Sequence, residues 1–211
     1  ISLGLVGSEM CIRDRKGSVR SVPEAPLIEG FEGYAEGALV PIRGQGEARV
    51  YTAGNRKVLL MKQDNSSAAL TVISEAESGG RLVVMAYADL PWGSSFYVGW
   101  CDGTQFTAEG QPEKSLLVMA NITDTVIYED WSAVLASAER GMPMGWQRIE
   151  VRWFAGTAQA LISSSAIDVP DVSLSTGIAP FANYTYLALG INSSGTAYVD
   201  WVAVLPGVIP D

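Results

Sequence analysis

The sequence of 211 residues contains no histidine. Imidazole is the general base of Ser-His-Asp and Cys-His catalytic sites, and it is one of the usual ligands of zinc. The absence of histidine therefore excludes these hydrolytic mechanisms, histidine-ligated zinc sites and acid–base catalysis by imidazole.

Basic residues and long hydrophobic runs are also scarce. Lys and Arg total 14 against 23 Asp and Glu, which gives a formal net charge of −9. Nucleic-acid binding needs clustered basic side chains that neutralise phosphates, so we expect no nucleic-acid partner. No apolar run reaches the roughly 18 residues that a membrane-spanning helix requires, so we expect no membrane span either. The hydrophobic content of 48% is that of a chain able to form a core.

Cysteine is limited to Cys11 and Cys101, and the first of these lies in an unusual N-terminal stretch. Leu5–Arg15 resembles, over its whole length, the translation of a transposase sequencing adapter. We therefore interpret residues 1–15 as an adapter-derived artefact standing where the true N-terminus would be. The remaining Cys101 cannot form an intrachain disulfide by itself. The rest of the chain then divides into a polar lead-in, one domain and a short tail, which are residues 16–28, 29–206 and 207–211.

The domain is composed of short apolar segments separated by turn residues. We count about ten to thirteen strands at spacings of roughly 8 to 15 residues, without a regular alternation of helices and strands. This pattern predicts an all-β fold, a two-sheet antiparallel β-sandwich or jelly roll with at most one short helix. The one ambiguous segment, Asp130–Arg140, fits a short helix and an edge strand equally well.

Three strands carry the clearest patterns. Arg81–Ala88 is apolar on both faces, which predicts a central strand covered on each side. Gln147–Trp153 alternates strictly, so we expect its apolar residues on the core and its charged residues, Arg148, Glu150 and Arg152, on water. The last strand, Ala197–Val204, is apolar on both faces except for Asp200.

Three stretches, in this order along the chain, resemble the concanavalin A-like lectin/glucanase superfamily, which includes laminin-G-like domains. Gly30–Gly37 is similar to the Phe-Glu-x-Tyr-x-x-Gly opening of its bacterial extracellular domains. Gly145–Gly156 resembles the Trp-led strand and glycine hairpin of their second half, and Tyr198–Val204 resembles their closing Val-Asp-Tyr-Val-x-Val strand. The resemblance implies a jelly roll in which the first and last strands are neighbours.

The same resemblance implies a structural calcium ion. In laminarinase-type glucanases of this superfamily, an Asp in the final strand binds calcium together with groups near the first strand. Asp200 would be that carboxylate here, with Glu32 or nearby backbone carbonyls completing an oxygen shell of the kind calcium prefers. The alternative is that Asp200 is an ordinary strand residue bonded to backbone or facing solvent.

The superfamily also contains glycosidases, whose catalytic carboxylates lie on one strand as Glu-x-Asp-x-x-Glu. This motif does not occur in the sequence, and the nearest acidic pairs, Glu75 with Glu77 and Glu129 with Asp130, have the character of exposed loop charges. We therefore expect no enzyme activity. A non-catalytic carbohydrate-binding or adhesion module fits better, because sugars stack on loop-borne aromatic side chains beside polar groups. The candidate ligand-binding residues are Trp92, Tyr97, Trp100, Asp102 and Trp131.

Two other functions remain open at this stage. Jelly-roll domains also serve as structural virion proteins, in capsid decorations or tail-associated modules, and a glycoside hydrolase is a third, less favoured alternative. Both the carbohydrate-binding module and the virion protein would lie in an extracellular location or on a virion surface. Both are also compatible with a homo-oligomer or a larger assembly. The carbohydrate-binding module would in addition have a glycan partner.

Overall fold

A computed structural model of the chain describes residues 10–13, 19–22, 27–40, 42–44, 47–63, 69–71, 80–102, 111–142, 145–154, 156–164, 170–178 and 186–206. Every regular element in these ranges is a β-strand, which confirms the all-β prediction. In this part of the chain no helix is long and apolar enough to span a membrane. The strands are β1 (Met10–Arg13), β2 (Val19–Val22), β3 (Leu27–Glu29), β4 (Ile42–Gly44), β5 (Glu47–Ala53), β6 (Arg56–Gln63), β7 (Ala69–Thr71), β8 (Gly80–Asp89), β9 (Ser95–Cys101), β10 (Ser115–Ala120), β11 (Thr125–Glu129), β12 (Ala133–Ala138), β13 (Gln147–Phe154), β14 (Thr157–Ser164), β15 (Val172–Gly177), β16 (Tyr186–Asn192) and β17 (Gly195–Pro206).

Two antiparallel sheets form the sandwich. The large sheet has the order β15-β14-β13-β8-β17-β6-β5, with β3 also pairing with β17, and the small sheet has the order β12-β11-β10-β9-β16. Two further two-stranded sheets join β1 to β2 and β4 to β7. The core lies between the large and small sheets, where Trp100 of β9 meets Trp153 of β13 edge to face with ring centroids 4.5 Å apart. The predicted two-sheet β-sandwich is confirmed.

The last strand holds the two ends of the domain together. Along one side β17 pairs with β8, and along the other it pairs first with β6 and then with β3 through Val202–Val204 and Leu27–Glu29. The expected contact between the first and last strands is therefore present, although β17 lies inside its sheet. Asp200 occupies a register shift between Val199 and Trp201, at the point where the partner strand changes from β6 to β3.

The ambiguous segment Asp130–Arg140 forms a hairpin turn followed by the edge strand β12, so the strand alternative is correct. Asp130 and Trp131 both take positive φ angles, 50° and 57°, in a tight turn that the Ser132 N–H closes onto the Glu129 carbonyl. Positive φ at both central residues is the φ pattern of a type I′ turn, whose twist matches that of the flanking strands. The turn therefore outweighs the helical preference of the alanines that follow.

Two of the three strands with clear sequence patterns, β8 and β13, differ in how far the prediction holds. β8 is central and buried on both faces, as predicted. On β13 the apolar face lies in the core, but the expectation that its charged face lies on water is wrong for Glu150, which is only 1% exposed. The physical reason is a set of ion pairs, given in the next subsection. The predicted tail 207–211 and the acidic pair Glu75 and Glu77 lie outside the described residues.

Candidate functional site

The side of the large sheet that faces away from the core, here called the outer face, carries a compact group of charges. Three arginines surround Glu150 and form, with it, what we call the arginine cluster. Arg81 Nε donates to Glu150 Oε1 at 2.7 Å, Arg152 Nε donates to the same oxygen at 2.5 Å, and Arg148 Nη2 donates to Oε2 at 2.6 Å. Arg148, Glu150 and Arg152 share a face because strand side chains alternate, whereas Arg81 comes from the neighbouring strand β8.

Electrostatics keep this group ionised. Burial disfavours the charged form of Glu150, but the hydrogen bonds from Arg81 and Arg152 and the positive charges of Arg148 and Arg81 outweigh it, so the pKa of Glu150 lies below its usual value. The arginine side chains are 22–30% exposed, whereas that of Glu150 is 1% exposed. The cluster therefore presents three positive charges against one negative charge on a chain whose net charge is −9.

Beside the arginine cluster lies a line of three partly exposed aromatic side chains, here called the aromatic row. Tyr87 of β8 and Tyr198 of β17 are directly paired across their strands, with ring centroids 6.1 Å apart. Trp146, immediately before β13, lies on the other side of Tyr87 with a centroid separation of 6.0 Å. Tyr87 and Tyr198 project from paired strands, so backbone pairing fixes their positions, and Trp146 is joined directly to the start of β13.

Four buried apolar side chains connect the row to the cluster. Val83, Met85, Trp201 and Ala203 pack together on the outer face, and Trp146 packs against them. Along β13, Arg148 follows Trp146 by two residues and pairs with Met85. Side chains two residues apart on a strand are about 7 Å apart. Aromatic rings, an apolar strip and guanidinium groups therefore adjoin one another on one continuous face.

Of the residues expected to bind ligand, Trp92 is the one most open to solvent, with 85% of its surface exposed. It lies in a turn between β8 and β9 that the Ser94 N–H closes onto the Pro91 carbonyl, with Gly93 at a φ of 85°. Ser94 Oγ accepts the backbone N–H of Ser194 at 3.2 Å, which fixes this turn to the one before β17. Trp92 is therefore displayed on an anchored loop.

The other expected ligand residues are divided between the core and a different surface. Trp100 lies wholly in the core against Trp153, away from the surface on which ligand contact was expected. Tyr97 and Trp131 meet edge to face, with centroids 5.4 Å apart, on the outward side of the small sheet, but Tyr97 is fully buried. Asp102 follows β9, at the end of that strand opposite Trp92, and its N–H donates to the Lys114 carbonyl.

The expected calcium ligands, Glu32 and Asp200, are both bonded instead to residues at the start of β6, Glu32 to a backbone N–H and Asp200 to an arginine side chain. Arg56 Nη1 donates to Asp200 Oδ2 at 2.5 Å, and the Lys57 backbone N–H donates to Glu32 Oε1 at 3.0 Å. The Lys57 ammonium donates to the carbonyl of Glu32 at 3.2 Å and to that of Tyr34. Calcium takes six to eight oxygen ligands. In this arrangement the residues do not fit calcium, because the Arg56 side chain, the Lys57 ammonium and the Lys57 backbone N–H already bind these oxygens.

Two further observations concern the surroundings of Asp200. Burial raises the pKa of Asp200; the charge and hydrogen bond of Arg56 oppose that rise, and the nearby negative charge of Glu32 adds to it. Within the described ranges, no three His, Cys, Asp or Glu side chains group closely enough to hold a metal ion. Asp200 is therefore a carboxylate whose charge is balanced chiefly by Arg56.

We expect the melting temperature of the intact chain to be the same in calcium and in a chelator. A ligand that binds only the native state raises stability by mass action, so bound calcium would be seen as a lower melting temperature after chelation. An Arg56→Gln variant should melt lower than the parent in both buffers alike. If chelation lowered the parent's melting temperature by several degrees, calcium would have to displace Arg56 and Lys57, and the predicted site would be restored.

The outer face was not predicted as a site from the sequence, although the sequence does contain part of the pattern that forms it. Arg148, Glu150 and Arg152 place both signs of charge on one side of a strand, which a solvated face does not require. The contribution of Arg81 and the meeting of Trp146, Tyr87 and Tyr198 depend on strand pairing over long distances in the chain. Those contacts have no local sequence signal.

Comparison with protein-family models gives no match, and comparison with curated protein sequences gives none either. Solved structures, in contrast, resemble the chain over most of its length. The likenesses are at the level of the fold, a sandwich of two antiparallel sheets. The chain has the concanavalin A-like jelly-roll fold, as the resemblance in its sequence implied.

Three of these structures represent the range. The exoplasmic/lumenal domain of VIP36 bound to Ca²⁺ and Man3GlcNAc matches with a TM-score of 0.61 and 8% identity, covering 81% of this chain and 85% of that one. A Bacillus subtilis protein with a galectin-like fold matches with a TM-score of 0.58 and 11% identity, covering 84% and 100%. A β-1,3-1,4-glucanase (lichenase) derived from a mouse hindgut metagenome matches with a TM-score of 0.58 and 14% identity, covering 86% and 99%.

Proposed function

We propose that the protein is a non-catalytic carbohydrate-binding module that holds a glycan on the outer face of its large sheet. The observation that carries this proposal is the aromatic row, in which Tyr198, Tyr87 and Trp146 follow one another at centroid separations of 6.1 and 6.0 Å. Sugars bind by stacking their C–H faces on aromatic rings, while polar groups beside the rings bind the hydroxyls. The arginine cluster supplies polar groups on the same face.

The comparisons support a glycan partner in general terms. The VIP36 domain is a structure with a bound mannose-containing glycan, and the fold is shared with it. The loop that displays Trp92 offers a second aromatic surface, at one end of the sandwich. Calcium near Glu32 and Asp200 is not needed for binding on the outer face. An extracellular location, or a place on a virion surface, belongs to the same proposal because glycans are met there.

Absence of catalysis is part of the proposal. A glycosidase needs one carboxyl group with a raised pKa as general acid, with a second carboxylate flanking the bond. Glu150, the buried carboxylate of the outer face, has a lowered pKa and three arginine partners, so it is a poor proton donor. Asp200 has a raised pKa, but its carboxylate is bound to Arg56.

A glycan array followed by titration calorimetry on the intact chain tests the proposal. We expect binding that Tyr198→Ala or Trp146→Ala weakens by about tenfold, since an aromatic contact contributes on the order of 1 kcal/mol. Tyr128→Ala is the matched control, because Tyr128 is also a partly buried tyrosine but lies on the outward side of the small sheet. It should leave glycan binding unchanged.

Three results would contradict this proposal. Retained affinity in Tyr198→Ala and Trp146→Ala would remove the outer face as the site. Failure to bind any glycan, together with stable self-association or docking to a shell protein, would favour the structural virion role instead. Glycan cleavage by the intact chain would return the glycoside hydrolase alternative.

A further inference from the structure

We propose that the ligand of the outer face is one extended glycan chain that lies across the strands of the large sheet, from the aromatic row to Arg49 of β5. This inference rests on the proposed function, because it assigns the length and shape of the glycan held by the same face. The observation that carries it is the strand register, which continues the line of the aromatic row beyond Tyr198.

The continuation consists of residues that lie directly opposite one another on neighbouring segments. Tyr198 pairs with Leu60 of β6, and Leu60 pairs with Arg49. Arg49 in turn lies opposite Leu39, in an isolated bridge beside β5. Side chains in directly opposite positions of an antiparallel pair project to the same face. The aromatic row and these three side chains therefore form a single line across the sheet, here called the extended row.

The extended row is longer than a disaccharide needs. Neighbouring strands are about 4.8 Å apart, so six side chains on six neighbouring segments span roughly 24 Å. A sugar unit of a linear glycan is about as long as one such spacing, so the row has room for about four or five units. The far end is also accessible, because Leu39 is 61% exposed and the Arg49 side chain is 44% exposed.

Arg49 is held in one orientation by its own strand. Glu47, two residues away on the same face, accepts a hydrogen bond from Arg49 Nε at 3.1 Å and another from Nη2 at 3.2 Å. Arg49 Nη1 donates to the Gly37 carbonyl at 3.5 Å. Two parallel hydrogen bonds fix the plane of a guanidinium group, so it has less conformational freedom to lose when a ligand binds. Arg49 therefore offers sugar hydroxyls a preorganised polar group at the far end of the row.

The tilt of the rings indicates the shape of the ligand. The ring plane of Tyr87 is inclined by 55° to that of Trp146 and by 56° to that of Tyr198. A crystalline polysaccharide presents a flat surface, and two rings can stack on one flat surface only when they are parallel to each other. A single chain turns between successive sugar units, so it can offer each ring a separate C–H face. The geometry therefore favours a free chain over the surface of an insoluble polysaccharide.

The experiment compares chain lengths and physical forms of the same sugars. Calorimetry on the intact protein measures the binding of β-1,4-linked glucose and mannose oligosaccharides, as disaccharides and as hexasaccharides. A pull-down assay measures binding to the crystalline forms of the same polymers, cellulose and mannan. We expect the hexasaccharide of at least one sugar to bind tenfold or more tightly than its disaccharide, because it contacts more of the extended row. Neither crystalline form should retain the protein.

Arg49→Gln should weaken hexasaccharide binding about tenfold and leave disaccharide binding unchanged, because a disaccharide stacked on the aromatic row does not reach β5. The Arg49 side chain is partly exposed, so the variant should fold, as a melting curve would show. Arg140→Gln is the matched control: Arg140 is 67% exposed and follows β12 of the small sheet, and its replacement makes the same change in net charge. A second pair is Leu39→Ser and Ile122→Ser, at side chains that are 61% and 48% exposed, of which only Leu39→Ser should weaken the hexasaccharide.

Equal affinities for disaccharide and hexasaccharide, with Tyr198→Ala weakening both, would overturn the extended chain while the proposed carbohydrate function stood. Retention on crystalline cellulose or mannan that Tyr198→Ala abolishes would overturn the single-chain shape and would likewise leave that function standing. Hexasaccharide binding that Arg49→Gln and Arg140→Gln reduce equally would remove Arg49 from the site and overturn the extended row. Failure of every hexasaccharide to bind would also overturn this inference, and the glycan array would then show whether the proposed function fails with it.

Discussion

Replacing Trp100 with alanine is expected to lower the free energy of unfolding by about 4 kcal/mol, in line with other deletions of large buried aromatic side chains. The indole is fully buried and meets Trp153 edge to face at a centroid distance of 4.5 Å. This contact joins the large sheet to the small one, so its loss opens a cavity between the layers. Urea unfolding followed by Trp fluorescence and circular dichroism measures the change.

Trp92→Ala is the matched control for this prediction. Trp92 is 85% exposed, so removing its ring should change the free energy of unfolding by no more than about 0.5 kcal/mol. Both variants lose one indole, and they differ only in where it lies. Equal stabilities for the two variants would mean that Trp100 is outside the core, and the packing of the two sheets would have to be revised.

Trp92 and Trp100 also show why the sequence could predict the fold better than the site. Trp92 and Trp100 are eight positions apart and both lie near turn residues, so local pattern treats them alike. Their different environments arise because β9 is buried on both faces, by the large sheet on one side and by a cluster around Tyr97 and Leu117 on the other. Burial of that kind is a property of the assembled sandwich.

Period-2 alternation and turn chemistry are local, and they predicted several elements correctly. Ile149, Val151 and Trp153 lie on the core as their spacing indicated. Gly54 and Asn55, residue types that tolerate the positive φ of a tight turn, form the hairpin between β5 and β6, with Gly54 at a φ of 68°. Each of these features is specified by neighbouring residues, because the strand period and the turn conformation depend on backbone geometry over a few positions.

Contacts between residues far apart in the sequence determine the features that the local sequence pattern did not predict. Arg56 reaches Asp200 across 144 positions of sequence, and it takes the carboxylate that resemblance had assigned to calcium. Arg81 reaches Glu150 across 69 positions and turns an expected solvated face into a buried ion-pair group. In both cases a cation from a distant strand determined the role of an acidic residue whose local sequence indicated something else.

Glu150→Gln is expected to lower the free energy of unfolding by about 3 kcal/mol, because it removes the shared partner of three half-buried arginines. Breaking a buried ion pair from one side costs about 3 to 5 kcal/mol, and the partial exposure of the arginines, 22–30%, favours the lower end. The amide keeps the shape of the side chain but not its charge, so the guanidinium groups repel one another. Urea unfolding at pH 7 measures the loss.

The pH dependence of that loss provides its check. The folded-state pKa of Glu150 is depressed, so its stabilising contribution is fully present above the pKa of the unfolded chain, about 4.3, and is lost as the pH falls through the lower folded value. The stability difference between the parent and Glu150→Gln should therefore be constant near neutrality and narrow in acid below about pH 4.

The control, Glu47→Gln, removes a carboxylate from the exposed pair with Arg49 and should show no measurable loss at any pH. If Glu150→Gln were as stable as the parent at pH 7, Glu150 could not be the carboxylate that holds the three arginines together.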